Sequence, residues 1–422
     1  MSAPSCQNAA TAASAMTRLG GLEGNLPKMA AVRFLCWMHW MSAVIVPFFR
    51  DWGRLSYTQI FALQAWFMLA NFLLEVPTGA VADRFGRRVS VGLGGLGLGV
   101  ATLLYASVPW LPMFVLAETL FALALTLISG ADEALVYDSL LALGREAEAT
   151  RIMSRLEAWK LGGIFAGALL GALAAARLGV RAPLLIQAVP MALSGLVALT
   201  LVEPPRVRDS PDERRGYLRL ISGGLHHFRQ APELRALALD QVACSTVASL
   251  VFWLYQPQLM RGSVPLAAFG VVHAGMGLGQ ILFLARVPLL ERLSGGRVRL
   301  LRLTAWLPAV CLLVLAATAQ PVVSIGLILL ATVAGAGRVP LFSGALNARI
   351  PSERRATVLS AVSAARTLLI GVLYPAIGAI LDRSLPGALV FVGLAGVVAA
   401  VFAAAPAELL EEKPEDRLIA SG

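Results

Sequence analysis

Six ionisable side chains stand inside long apolar stretches of the sequence, where an isolated charge is unfavourable. An ionised group at the centre of a bilayer costs at least about 3 kcal/mol unless it faces protein or water. Residues of this kind therefore indicate a buried site that binds a charged solute or carries a proton. The six candidates for substrate binding or coupling are His39, Glu118, Asp240, His273, Arg338 and Arg366.

Depth within the apolar stretches distinguishes these candidates. At about 1.5 Å of rise per residue, Arg366 and His39 lie near the middle of their predicted spans. An arginine does not readily lose its proton, so Arg366 requires a carboxylate partner, such as Glu118, or an anionic ligand. A permanent interhelical ion pair is the structural alternative for Arg366, and a hydrogen-bonded packing histidine is the alternative for His39.

Glu118 is the best candidate for proton coupling, because a buried carboxyl group can take up a proton near neutral pH. The alternative for Glu118 is a position at the outer end of its span, in contact with bulk water. His273 also falls in the outer part of its span, whereas Asp240 and Arg338 fall toward the inner end. Five aromatic residues are candidate contacts for an organic substrate, with anchoring at the membrane interface as the alternative: Trp37, Trp40, Trp66, Trp253 and Tyr255.

A short charged turn separates two of the apolar runs. It covers residues 79–88, GAVADRFGRR, and follows a run that holds one carboxylate, Glu75. Residues 89–110, after the turn, hold no charged side chain. Two apolar runs of about 20 residues joined by a cationic turn are typical of a helix hairpin that crosses a membrane, with the turn in the cytoplasm.

This turn resembles the signature loop of the major facilitator superfamily. The family pattern, Gly-x-x-x-Asp-Arg-x-Gly-Arg-Arg, is matched by Gly79, Asp83, Arg84, Gly86, Arg87 and Arg88. Three further stretches are similar to a bacterial subgroup of mostly efflux or metabolite transporters: 75–79, EVPTG; 129–140, SGADEALVYDSL; and 355–360, RATVLS. The resemblance implies a substrate path surrounded by the first, fourth, seventh and tenth helices, and a latch formed by the loop on the cytoplasmic side.

The latch is expected to depend on charge. Asp83 is expected to meet the positive N-terminal end of the eleventh span, near Arg354, and to lock the two halves. Arg84 and Arg88 are expected to pair with carboxylates such as Asp138 or Glu75. A charge network at the inner end of the fourth span is expected to take part, through Asp132, Glu133 and Asp138. Ordinary ion pairing at the membrane interface, worth about 0–1 kcal/mol per pair, is the alternative.

The composition is that of an integral membrane protein. Of the 422 residues, 58% are hydrophobic and 14% are charged, and the mean hydropathy is +0.74. Soluble domains carry about 25% charged residues. The net charge of +10 does not indicate nucleic-acid binding, because the arginines are scattered between apolar runs. The four cysteines have no paired spacing, and neither a metal nor a cofactor is predicted.

We predict an all-α membrane protein with twelve transmembrane helices in two pseudo-symmetric six-helix bundles. The predicted spans are 29–49, 59–81, 88–108, 112–131, 157–177, 182–202, 236–257, 266–287, 300–318, 321–346, 357–378 and 386–405. The predicted regions are a disordered cytoplasmic tail at 1–28, the first bundle at 29–202, a cytoplasmic linker with an amphipathic helix at 203–235, the second bundle at 236–405 and a cytoplasmic tail at 406–422. Arginines concentrate in the loops of one side, which assigns that side and both termini to the cytoplasm, and the chain to the plasma membrane.

Prolines repeat between the two halves at a separation of about 210 residues. The pairs are Pro47 with Pro257, Pro77 with Pro288, and Pro109 with Pro321. A repeat of this length predicts two bundles related by a pseudo-twofold axis.

These features predict a secondary transporter that moves a small organic solute by alternating access. We expect coupling to protons and favour export as the direction. Ion-coupled uptake of an anionic metabolite is one alternative, and a membrane sensor or scaffold that carries no substrate is another. An enzyme is not predicted, because no nucleophile, base and orienting group occur at a catalytic spacing. The expected partners are the solute, protons and the lipid bilayer, and the chain is expected to be a monomer.

Overall fold

The computed structural model describes residues 21–205, 232–347, 350, 355–402 and 405–410. Every regular element in these ranges is a helix. The amphipathic helix that we predict in the linker, and most of both tails, lie outside these residues. The helices of eight or more residues are, in chain order, α1 Asn25–Cys36, α2 Tyr57–Phe85, α3 Arg87–Tyr105, α4 Leu111–Ile128, α5 Ala131–Ala142, α6 Ala149–Leu178, α7 Ala182–Leu199, α8 Pro232–Arg261, α9 Leu266–Ala285, α10 Val287–Ser294, α11 Arg297–Ala317, α12 Pro321–Asn347, α13 Arg355–Arg383 and α14 Leu385–Phe402.

Eleven helical stretches of the described residues are long and apolar enough to cross a membrane. They correspond to the second to twelfth predicted spans. Apolar stretches of this length become helices because each backbone N–H and C=O group must find its partner inside the segment. The predicted all-α membrane fold is confirmed.

The first predicted span is not one continuous helix, and that prediction is wrong. Helix α1 ends at Cys36, and helical structure resumes only at Ile45–Pro47 and Phe48–Trp52. A break at membrane depth is tolerated where protein surrounds it and replaces the missing hydrogen bonds. Here the buried side chain of Gln187 on α7 accepts a hydrogen bond from the Met41 N–H at 3.1 Å.

Glycines on α6 let the broken segment approach closely. A side chain at Gly167 would place its Cβ 2.7 Å from the backbone nitrogen of His39. Gly171, one helical turn later, lies against the backbone of Trp40. Small residues at four-residue spacing are typical of close helix contacts in membranes. These glycines therefore help to set the position of the break that contains His39.

Residues 21–28, which we predicted to belong to a disordered tail, are helical apart from a turn at Gly24. Asn25 is fully buried, and its amide group donates hydrogen bonds to Ser139 Oγ at 3.0 Å and to the Val202 carbonyl at 2.8 Å. Its side-chain oxygen accepts a hydrogen bond from the Val202 N–H at 2.9 Å. The prediction of disorder is wrong for these residues, because the hydrogen-bond partners of the Asn25 side chain, Ser139 and Val202, lie far along the chain.

The chain divides into two compact units. The first contains Met1–Arg54 and Trp66–Pro211, and the second contains Leu55–Ala65 and Asp212–Gly422. The beginning of α2 therefore belongs to the second unit and the rest of α2 to the first. Within the second unit, the Asp382 carboxylate accepts hydrogen bonds from the first backbone N–H group of α2 at 2.7 Å and from the next at 2.9 Å.

In each unit, one central helix makes close contacts with its neighbouring helices at glycine positions. In the first unit α3 packs against α4 and α7, and a Cβ at Gly95 would lie 2.5 Å from the backbone nitrogen of Gly195. In the second unit α11 packs against α12 and α14, and a Cβ at Gly396 would lie 2.9 Å from the Cβ of Ala309. These central helices hold in place the neighbouring helices that carry the ionisable residues.

Candidate functional site

Arg366 lies on α13 in the second unit, and no carboxylate of the described residues forms an ion pair with it. Its side chain is half-buried, and its Nε atom is buried without a hydrogen-bond partner among the described residues. The ion pairs found in the described part of the chain do not include Arg366. Its charge acts on the hydroxyl group of Tyr374, two helical turns further along α13. Arg366 thus retains capacity to bind an anion.

Aromatic side chains surround Tyr374. Its hydroxyl group lies close to the side chains of Ser249 and Trp253 of α8. Its ring meets the ring of Phe61 edge-on, with the centroids 5.4 Å apart, and Phe61 lies 6.0 Å from Trp253. We call these five residues, including Arg366, the Arg366 cluster. A cation beside aromatic rings suits a ligand with an anionic group on an apolar or aromatic body.

A second polar network of this unit includes His273 of α9. The hydroxyl group of Tyr255 lies 2.9 Å from His273 Nδ1, and Gln256 Nε2 donates a hydrogen bond to the same hydroxyl at 3.0 Å. Because the hydroxyl accepts from Gln256, it is free to donate to His273, which then carries its ring proton on Nε2. The ring of Phe252 meets His273 edge-on at 5.7 Å. His273 is thereby held in one orientation.

Asp240 and Arg338 form a closed ion pair between α8 and α12. Arg338 Nη2 lies 2.5 Å from Asp240 Oδ1, and the two side chains are 5% and 2% exposed. Arg338 Nε also donates to the Leu301 carbonyl at 3.2 Å, and Asp240 Oδ2 accepts from the Ala405 N–H at 3.0 Å. With these groups occupied, the geometry favours a structural role for the pair over the ligand binding or coupling that we predicted.

His39 lies in the break of the first span in the first unit. Its ring stacks on Trp37, with centroids 5.3 Å apart and an interplanar angle of 7°, and meets Phe121 edge-on at 6.1 Å. The ammonium group of Lys160 lies 4.6 Å above the ring of Trp37. Interrupted helices with accessible backbone are typical of substrate sites in secondary transporters. His39 therefore stays a candidate, although its packing between rings also suits the structural alternative.

Glu118 on α4 is buried, with 4% of its surface exposed. Its carboxyl group lies close to the hydroxyl group of Tyr105, which is also buried, and acts on it electrostatically. The alternative that Glu118 contacts bulk water is inconsistent with this burial. Glu118 therefore stays a candidate for proton coupling.

Arg33, which we did not predict, joins the inner-end charge network of the first unit. Its Nη2 lies 2.8 Å from Asp132 and 3.6 Å from Glu133, and its Nη1 lies 3.6 Å from Glu157. Glu157 also pairs with Lys160 at 2.9 Å. A signal for Arg33 exists in the sequence, because it precedes Asp240 by 207 residues, close to the separation of the repeated prolines.

The charged turn is organised by Glu203, which we also did not predict. Its two carboxylate oxygens accept hydrogen bonds from the N–H groups of Arg87 at 2.7 Å and Arg88 at 3.0 Å, at the beginning of α3. Gly86, just before them, has φ +102°, and a Cβ there would lie 3.1 Å from Glu203 Oε2. The Arg87 side chain forms an ion pair with Asp138. The partner of the Asp138 carboxylate is therefore Arg87, rather than Arg84 or Arg88 as predicted.

The remaining residues of the turn are more open. Arg84 lies over the ring of Phe85 at 5.5 Å. Glu75, Gly79 and Asp83 are exposed, and no atom lies within 4 Å of where a Cβ at Gly79 would be. The partner that we predict for Asp83, before the eleventh span, lies outside the described residues. The latch therefore stays a prediction.

No metal site is formed by the residues that the structure describes, since they contain no group of three or more His, Cys, Asp or Glu side chains that could hold an ion. The described residues form two units of long apolar helices, each with buried charged and aromatic side chains, which is the architecture of a multi-pass membrane protein. Residues 29–373 match the Major Facilitator Superfamily. The chain belongs to this superfamily, as the signature loop predicted.

Solved structures of transporters share the fold. The nucleoside transporter NupG aligns with 93% of this chain and 100% of its own, at 15% identity and a TM-score of 0.72. A bacterial homologue of the human lysosomal transporter Spinster covers 93% and 99%, at 16% identity and a TM-score of 0.69. The xylose transporter XylE from E. coli covers 94% and 98%, at 16% identity and a TM-score of 0.68. No curated protein matches the sequence, so these likenesses establish the fold and not the substrate.

Proposed function

We propose that the protein is a proton-coupled exporter of a small organic anion with an apolar or aromatic body. The observation that carries this proposal is Arg366, a half-buried cation within a transmembrane helix. A charge in such a position requires compensation, and its Nε has no hydrogen-bond partner among the described residues. A bound anion would supply that compensation.

A comparison with Arg338 in the same unit supports a ligand over a permanent ion pair. Arg338 is held by Asp240 and by the Leu301 carbonyl. Arg366 has no such carboxylate among the described residues. An unpaired buried charge is unfavourable for folding, and groups of this kind concentrate where a protein binds its ligand.

The aromatic members of the Arg366 cluster support an amphipathic substrate. Phe61, Trp253 and Tyr374 offer ring surface, while the Arg366 guanidinium group can hold a carboxylate or phosphate through two parallel hydrogen bonds. A purely hydrophilic anion would gain little from the rings. We therefore expect aromatic or long-chain anions to be preferred over small hydrophilic ones.

Glu118 is our candidate for the group that carries the proton. It is buried in the first unit, close to the hydroxyl group of Tyr105. One proton that moves through 100 mV releases about 2.3 kcal/mol, which sustains a solute gradient of roughly fifty-fold. The arginine distribution leads us to propose a plasma-membrane location with both termini in the cytoplasm.

Transport by purified protein in liposomes tests the proposal. Uptake is measured for a panel of aromatic and aliphatic carboxylates, with amines and neutral analogues of similar size, in the presence and absence of a pH gradient. We expect transport of anions, with accumulation driven by the proton gradient. In whole cells that express the protein, we expect the same anion to accumulate less than in cells that express Arg366→Ala.

Four variants, one of them a control, separate the roles of the residues. Arg366→Ala should abolish transport, and Arg366→Lys should retain part of it, because lysine keeps the charge but not the paired donors. Glu118→Gln should preserve solute exchange and lose accumulation driven by the pH gradient. Arg383→Ala, at the exposed end of the same helix, is the matched control and should transport normally. Wild-type flux in Arg366→Ala, or selective transport of amines, contradicts the proposal.

A further inference from the structure

A groove lined by arginines lies where α10 meets α11 in the second unit. Its volume is about 750 Å³, and its lining comes from α10, the turn at Gly295 and Gly296, the beginning of α11 and Ala407. The arginines of the lining are Arg292, Arg297, Arg299 and Arg302. We call this feature the arginine groove.

The arginine groove has an excess of positive charge. Arg292, Arg299 and Arg302 are exposed, and none of them forms an ion pair with the residues that the structure describes. The lining contains one carboxylate, Glu291, and a second, Glu408, follows Ala407 at the edge. Within the described part of the chain, these three arginines thus have no carboxylate in an ion pair with them.

Local contacts, with the turn and with α12, orient two of the arginines. Gly295 has φ +79°, and Arg299 Nη1 lies 2.6 Å from where a Cβ at Gly295 would be, so the Arg299 side chain folds over the turn. Arg297 donates a hydrogen bond to the Leu341 carbonyl at 3.2 Å. A guanidinium group that is already oriented loses less conformational freedom when it binds an oxyanion.

Helix α10 adds an apolar stripe to this charge. Leu289 and Leu293 are 46% and 75% exposed, and their four-residue separation places them on one side of the helix. Glu291 and Arg292 lie between them in the sequence. A short helix with exposed leucines on one side and arginines beside them is typical of a segment that lies in the membrane interface.

We propose that the arginine groove binds the headgroup of an anionic phospholipid, while Leu289 and Leu293 contact its acyl chains. Phosphate and guanidinium groups pair through strong, charge-assisted hydrogen bonds. Basic pockets at the cytoplasmic side of transmembrane helices suit anionic lipid headgroups. A soluble anion would use the arginines but gain nothing from the leucines, so the two features together favour a lipid. The proposal does not depend on the substrate or on Arg366.

Lipid retention by the purified full-length protein tests this proposal. The protein in detergent is incubated with equal amounts of phosphatidylglycerol and phosphatidylcholine, and bound lipid is measured by native mass spectrometry. We expect the wild type to retain phosphatidylglycerol preferentially. Arg292→Ala/Arg299→Ala should weaken that binding by about thirty-fold, given the usual contribution of two basic residues near an anionic membrane surface. Arg292→Lys/Arg299→Lys should keep most of the preference.

A matched control removes the same charge elsewhere. Arg177→Ala/Arg383→Ala changes two exposed arginines at the ends of α6 and α13 and should bind phosphatidylglycerol as the wild type does. Leu289→Ser/Leu293→Ser should weaken lipid binding with all arginines intact. Thermal unfolding of each variant identifies those that fold normally. Equal retention by the Arg292→Ala/Arg299→Ala variant overturns the proposal. Displacement of the lipid by inorganic phosphate at equal concentration would instead identify a site for free anions, and would overturn it as well.

Discussion

Among the described residues, a buried ion pair occurs in each unit at corresponding places in the repeat, and the two pairs have opposite polarity. In the first unit Arg33 on α1 pairs with Asp132 on α5, and in the second Asp240 on α8 pairs with Arg338 on α12. Arg33 and Asp240 are 207 residues apart, and Asp132 and Arg338 are 206 apart. The two halves thus place a charge pair at the same point of the repeat with the signs exchanged.

The pair of the second unit is neutral and closed. One oxygen of Asp240 is held by Arg338 and the other by the Ala405 N–H, and the Cys244 thiol also lies 3.3 Å from the carboxylate. The ring of Phe342 lies 4.6 Å from the Arg338 guanidinium carbon. Because both side chains are shielded from water, removing either one leaves the other charge buried without a counter-charge.

The Arg33–Asp132 pair of the first unit belongs to a cluster that has more negative than positive charge and is partly exposed to solvent. Arg33 is shared among Asp132, Glu133 and Glu157, and its Nε atom has no hydrogen-bond partner among the described residues. The side chains of Glu133 and Glu157 are 69% and 47% exposed. Arg33 therefore stays compensated when one carboxylate is neutralised. The same place in the repeat thus holds a single, fully satisfied ion pair in the second unit. In the first unit it holds an arginine that is shared among three carboxylates.

The largest effect is expected for Asp240→Asn. This substitution keeps the volume of the side chain but leaves the Arg338 charge buried without a carboxylate, which typically costs about 3–5 kcal/mol. We expect a large fall in the temperature of unfolding, measured on purified protein in detergent. Asp240→Leu/Arg338→Met removes both charges and should recover much of the loss. If the double variant is no more stable than Asp240→Asn, the charge is not the reason for the loss.

The sequence was sufficient to predict eleven of the spans, because a long apolar stretch has few structural alternatives in a membrane. It was not sufficient to predict the break after Cys36. The groups that stabilise the break, the Gln187 side chain and the surface of Gly167, lie more than a hundred residues further along the chain. No local pattern around His39 contains that information.

The candidate site was predictable by residue type but not by partner. Asp240, Arg338 and Arg366 are visible as charges in apolar stretches, yet the sequence does not show that the first two neutralise each other. The repeat separation offers a hint, since it pairs Arg33 with Asp240. Glu203 was missed because a carboxylate after a transmembrane helix is common, and its contact with Arg87 depends on the packing of α3 and α7.

An intermediate effect is expected for alanine at Gly86 and Gly296, a second matched pair of the two units. The two glycines are 210 residues apart and precede α3 and α11 with φ +102° and +122°, a conformation that costs other residues about 1–3 kcal/mol. A Cβ at Gly86 would also press on Glu203, whereas nothing lies within 4 Å at Gly296. Gly86→Ala should therefore reduce thermal stability more than Gly296→Ala.

The difference in unfolding free energy between these two variants measures how much the Glu203 carboxylate stabilises the beginning of α3. We expect this contribution to be about 1 kcal/mol. Glu203→Gln provides an independent estimate, because it weakens the contact with the N–H groups of Arg87 and Arg88 without straining the backbone. If Gly86→Ala and Gly296→Ala are equally destabilising while Glu203→Gln has no effect, the carboxylate does not stabilise the turn.

The smallest effect is expected for Asp132→Asn, the counterpart of Asp240→Asn in the acidic cluster. Arg33 keeps Glu133 and Glu157 at 3.6 Å, so its charge is not left bare, and we expect a loss of only about 1 kcal/mol. The triple variant Asp132→Asn/Glu133→Gln/Glu157→Gln removes all three carboxylates around Arg33. That variant should unfold as easily as Asp240→Asn. If Asp132→Asn alone already matches Asp240→Asn, the two pairs are equivalent clamps, and the exchange of signs between the halves has no consequence for stability.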